Sequence, residues 1–61
     1  MNTQEKPKDE PGYRFLQVGE IIQKGDEFWW PIEKRWVGVT DAVVGMDLDK
    51  NSVGDFRRKI T

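Results

Sequence analysis

The sequence predicts an all-β fold, a small antiparallel sheet built as a meander or an open barrel of about four to five short strands. Two observations carry this expectation. The apolar residues fall in short runs rich in β-branched and aromatic side chains, and those runs are punctuated by Gly19, Gly25, Gly38, Gly45 and Gly54. Side chains of this kind suit a pleated, half-buried surface, while glycine takes the left-handed conformations that tight reversals need.

Taken in order, Met1 to Gly12 has Met1 as its one apolar side chain together with two prolines, so it lacks the burial that would offset ordering, and a flexible tail is expected. The folded module then spans residues 13–61. Tyr13 to Val18 reads as the first strand, closed at Gly19-Glu20. Ile21-Ile22-Gln23 and Glu27-Phe28-Trp29-Trp30 read as a hairpin reversed at Lys24-Gly25-Asp26, the clearest such signal in the chain. Pro31 ends that strand because it has no amide proton to donate, and Glu33-Lys34-Arg35 turns the chain into Trp36 to Val39. Thr40 to Met46 is ambiguous: Thr40 or Asp41 suits the cap of one helical turn near residues 41–46, whereas Val43-Val44 favours a strand. Asp47 to Asp55 is a polar loop, and Phe56 to Ile60 alternates as a closing strand.

Size and composition narrow the function classes. A chain of 61 residues holds one small domain, and the remaining module lies near the size limit for stability without a staple. With no cysteine, no disulfide assists it, so burial against another copy is the expected aid and a homo-oligomer follows. The absence of both cysteine and histidine removes thiol nucleophiles, imidazole bases and the usual zinc sets. No nucleophile and base pair stands out, so no catalytic residue, metal or cofactor is assigned and an enzyme is not expected. Ten basic against eleven acidic residues imply neither a nucleic acid nor a membrane partner by charge. No apolar run approaches a membrane span, and the opening lacks a signal peptide's apolar stretch, so a cytosolic protein is the default.

The candidate site residues are aromatic and basic. Trp29 and Trp30 are adjacent on one strand and must point to opposite faces, so one indole is left for solvent, an interface or a ligand. With Trp36 they place three indoles in eight residues. Arg14, Arg35, Arg57 and Arg58 supply forked donors suited to phosphate, with Phe56 beside the terminal pair. Arg14 converges on Arg57 and Arg58 if the first and last strands are neighbours. The bland reading of the same arginines is a charged edge that resists strand pairing. Asp26-Glu27 is better explained by the reversal than by acid–base chemistry, because successive strand residues face opposite ways. Asp47, Asp49 and Asn51 begin like a calcium loop, but Ser52 stands where glycine belongs and Arg58 where the bidentate acid belongs.

The run Tyr13-Arg14-x-Leu16-x-x-Gly19-Glu20-x-Ile22-x-x-Gly25-Asp26-Glu27, with a tryptophan-bearing hairpin and a closing Phe56-Arg57-Arg58, resembles a module of short, mostly uncharacterised bacteriophage proteins. Phe56 departs from the Tyr expected before the arginine pair, losing a hydroxyl. The resemblance implies a phage origin and action in the host cytoplasm, without a known chemistry. Three binding functions are then expected in order. The first is sequestration of a small anionic nucleotide-type immune signal by Trp and Arg contacts. The second is direct docking on a host protein. The third is binding of single-stranded nucleic acid by a small β-barrel, which the balanced charge disfavours.

Overall fold

The computed structural model describes residues 10–60. Four strands, β1 (Tyr13–Phe15), β2 (Glu27–Trp30), β3 (Arg35–Gly38) and β4 (Phe56–Lys59), form one antiparallel sheet. The order is β1-β4-β2-β3, so the closing strand inserts between the first two rather than extending a meander. Only β2 and β3 form a hairpin of sequential strands. Trp30 pairs with Arg35 at its end, and the connection Pro31 to Lys34 closes with Lys34 in the left-handed region at φ 54°.

The two faces carry different cores. On one, Leu16, Ile22 and Leu48 are buried, with Val39, Val43 and Phe56 packed against them. Leu16 is fully buried. These residues come from β4 and from the loops on either side of β2–β3, which fold under the sheet. Phe28 continues this face toward the hairpin end, its ring 6.0 Å from Phe56 and 6.2 Å from Trp30. On the other face the rings of Phe15 and Trp36, from the two edge strands, approach to 6.2 Å. In a flat four-stranded sheet those strands lie about 14 Å apart, so the sheet is curled toward this side.

Several local expectations are corrected. Ile21 to Gln23 does not return along β2. The amide of Ile22 donates to Met46 O at 2.9 Å, its carbonyl accepts from Gly45 N at 2.7 Å, and Ile21 bridges Asp47. The Gly25 reversal is present at φ 97°, but burial of Ile22 in the core commits its backbone to the Val43–Asp47 stretch instead. The first strand stops at Phe15, because the chain bends under the sheet at Leu16 to fill the core. Residues 41–45 form turns and not a helical turn; the one helical element among the described residues is a short 3-10 helix, Lys50–Ser52, inside the expected polar loop.

The tail expected over residues 1–12 lies outside the described residues as far as residue 9. From there on the chain is tied to the module: Glu10 pairs with Arg57, Tyr13 N donates to Glu10 O, and Ile60 N donates to Gly12 O. Among the described residues, no helix is long and apolar enough to cross a membrane.

Candidate functional site

The paired register of β1 and β4 sets Arg14 directly opposite Arg58, so the convergence of the first and last strands is realised. Two like charges facing one another on a sheet repel, and carboxylates resolve this. Arg58 makes a bidentate contact to Asp26, Nε to Oδ1 at 2.8 Å and Nη2 to Oδ2 at 2.9 Å. Its Nη1 donates to Glu20 Oε2 at 3.1 Å and its Nη2 to the carbonyl of Ile21 at 2.9 Å. Glu20 also accepts from Arg14 and from the amide of Gln17. Asp26 accepts the amide of Gln23 across the Gly25 reversal. The network clasps the Leu16–Asp26 loop onto β4 and β1.

The electrostatics follow from these contacts. Arg14 and the Gln17 amide hold the Glu20 carboxyl at about 2, against an ordinary 4.5. Burial alone would raise Asp26, but Arg58 and the Gln23 amide outweigh it and hold the carboxyl below its ordinary value. Arg58 is raised by its bond to Asp26 and stays a cation.

Arg57, one position earlier, points to the opposite face. Its Nε donates to Glu27 Oε1 at 2.7 Å and its Nη1 to Glu10. The guanidinium carbon sits 3.7 Å from the Tyr13 ring centroid and 4.3 Å from that of Trp36. Trp29 meets Trp36 edge-on at 5.5 Å. Arg57 is 7% exposed, an unusual place for an arginine, and the two carboxylates and two ring faces are what make it tenable. Among the described residues no buried side-chain polar atom lacks a partner.

The predicted site residues thus separate into three places. Arg14 and Arg58 belong to the clasp. Trp29, Trp36 and Arg57 form the concave aromatic face with Tyr13 and Phe15. Phe56 packs against the core. Trp30 and Arg35 remain at the end of the β2–β3 hairpin. Trp30 is 37% exposed, and beside it in the turn Ile32 is 78% exposed, the most exposed large apolar residue of the described chain. Arg35 pairs with Glu33 there, both side chains being more than half in solvent. Sequence reasoning missed Tyr13 and Phe15 as partners of Arg57, although their alternation on β1 places both on one face. It also missed Ile32, an isolated apolar residue in a polar turn that has no fold-building use.

Among the described residues no group of three or more Asp or Glu is placed to hold a metal ion. Comparison with known proteins found no matching family model, no matching curated protein and no matching solved structure.

Proposed function

We propose that this chain is a non-enzymatic docking protein that engages another protein through the β2–β3 hairpin end, with Trp30 and Ile32 as apolar anchors and Arg35 at the rim. The resemblance to short phage proteins points to a bacterial host protein as the partner. The observation that carries the reading is the exposure of Trp30 and Ile32 together on a projecting turn whose four residues, Pro31 to Lys34, are all exposed. Trp and Arg are the residue types enriched at energetic centres of protein interfaces, and exposed apolar groups gathered at one end mark interaction sites. The ion-paired arginines of β4 favour this over phosphate capture: a phosphate reaching Arg57 or Arg58 would have to displace carboxylates and leave them facing an added anion.

A nucleotide ligand is retained as a second reading on one observation. Trp30 and Arg35 are cross-strand partners, so an indole and an exposed guanidinium sit side by side. Small ligands, however, are bound in concavities that bury most of their surface, and a projecting turn suits a groove supplied by a partner.

A photo-crosslinking amino acid at position 32, with the same group at Lys59 as control, tests the reading in host cells. Docking predicts a position-32-specific adduct with one host protein, and direct binding of that purified protein weakened about tenfold or more by Trp30→Ala. Absence of any position-specific protein adduct, with heat released on titrating a nucleotide and lost in Arg35→Ala, would overturn docking in favour of the second reading.

A further inference from the structure

We infer that the free edge of β3 pairs with the β3 edge of a second copy of this chain, antiparallel about a two-fold axis at Val37, extending the sheet from four strands to eight. This pairing uses the backbone of β3 and does not depend on docking at the hairpin turn.

Backbone parity defines the edge. Trp29 N donates to Asp55 O on the β4 side, and Val39 N donates to Asp26 O on the β2 side. Amide and carbonyl of one antiparallel residue point the same way and alternate along the strand. Val37 and Arg35 therefore face β2, while the amides and carbonyls of Trp36 and Gly38 face outward. Among the described residues no backbone or side-chain hydrogen bond uses those outward groups. The pairing of β2 with β3 is continuous from Glu27↔Gly38 to Trp30↔Arg35, and no proline or lysine falls within β3. The usual devices that blunt an edge are missing from its centre.

The edge is complementary to itself. Around Val37, Trp36 of one copy falls opposite Gly38 of the other, and each such pair exchanges two N–H···O bonds. Gly38 is exposed, and a Cβ built there meets nothing within 4 Å, so a neighbouring strand meets no side chain at that point. The Trp36 ring is turned inward onto Phe15, Trp29 and Arg57, which leaves its backbone approachable. Arg35 falls opposite Val39, so no like charges meet. The other edge fails this test. In β1 the equivalent two-fold sets Arg14 against Arg14, and the outward Tyr13 amide is already bonded to Glu10 O. A module whose buried apolar core is Leu16, Ile22 and Leu48 also gains most from added burial. The contact is short, below about 1,200 Å² in total, so the association is reversible on dilution.

Sedimentation equilibrium from micromolar to millimolar, with amide exchange by NMR on the same full-length chain, tests it. The expected result is a monomer–dimer equilibrium in which the Trp36 and Gly38 amides become protected as concentration rises, Val37 serving as the inward-facing control. Gly38→Pro removes one outward donor without breaking an internal bond, and is expected to remain monomeric throughout. A monomer at every concentration overturns the proposal, as does a dimer whose Trp36 and Gly38 amides exchange no more slowly than in the monomer. A folded Gly38→Pro chain that dimerises like the native one does so too. If Gly38→Pro does not fold, the amide exchange of the native chain decides alone.

Discussion

The loop clasp and the hairpin end contain the same chemical parts, arginine against carboxylate beside apolar side chains, and put them to opposite uses. At the clasp, Asp26 is 2% exposed and Arg58 reaches two carboxylates and a carbonyl, all over the Leu16, Ile22 and Leu48 core. At the hairpin end, Arg35 and Glu33 meet in solvent beside Trp30, which keeps one edge on Phe28 and is 37% exposed, and Ile32, which buries little against the rest of the chain. Burial decides which set holds the fold. A charge removed from water must keep its partner, whereas an exposed pair contributes at most about 1 kcal/mol and is free to be exchanged for a partner's groups.

The largest expected break lies on the clasp side. Leu16→Ala should cost about 3–4 kcal/mol in urea unfolding, since it opens a cavity at a fully buried side chain, and in a domain this small that is much of the total stability. Asp26→Asn comes next, at about 2–3 kcal/mol, because it leaves Arg58 without its bidentate acceptor while keeping the side-chain volume. Circular dichroism melts of the same variant should show a matching fall in melting temperature.

Acid sharpens the contrast by acting on the clasp, whose two lowered carboxyls are opposed by Asp55, raised by desolvation. The folded pKa of Glu20 is lowered from 4.5 to about 2 and that of Asp26 is lowered as well, so their stabilisation is complete above the ordinary carboxylate range and is lost as pH falls toward about 2. Melting temperature should therefore be level above about pH 5 and decline below it. Glu20→Gln should flatten the decline.

The smallest effect belongs to the hairpin end. Ile32→Ser should alter unfolding free energy by no more than about 0.5 kcal/mol, the usual range for an exposed site, while weakening binding to the proposed docking partner. Equal losses of stability from Ile32→Ser and Asp26→Asn would erase the distinction between the two regions.

Much of this arrangement was legible in the sequence, and the illegible part has one physical origin. The all-β class, the strand at Glu27–Trp30, the Gly25 reversal and a closing strand from Phe56, expected to reach Ile60 and observed to Lys59, were readable because strand propensity, glycine and proline act locally. The partner of Ile22 was not. A run of Ile-Ile-Gln before a Gly-Asp turn looks like half of a hairpin, yet its backbone bonds go to Met46 and Gly45, a choice made by the core and invisible to local pattern. The arginines show the same limit. Their type suggested phosphate, and only the three-dimensional register reveals that Glu20, Asp26, Glu27 and Glu10 already occupy them. Arg14, Leu16, Glu20, Ile22, Asp26, Glu27, Arg57 and Arg58 each have a fold-building contact, whereas Trp30 and Ile32 stay exposed.

Double-mutant cycles on two ion pairs test this division of labour most directly. Unfolding free energies of the single and double variants Asp26→Asn with Arg58→Gln, and of Glu33→Gln with Arg35→Gln, give the coupling within each pair. The account predicts a coupling above about 1.5 kcal/mol for Asp26 with Arg58 and below about 0.5 kcal/mol for Glu33 with Arg35. Equal couplings, or a stronger one at the hairpin end, would contradict it.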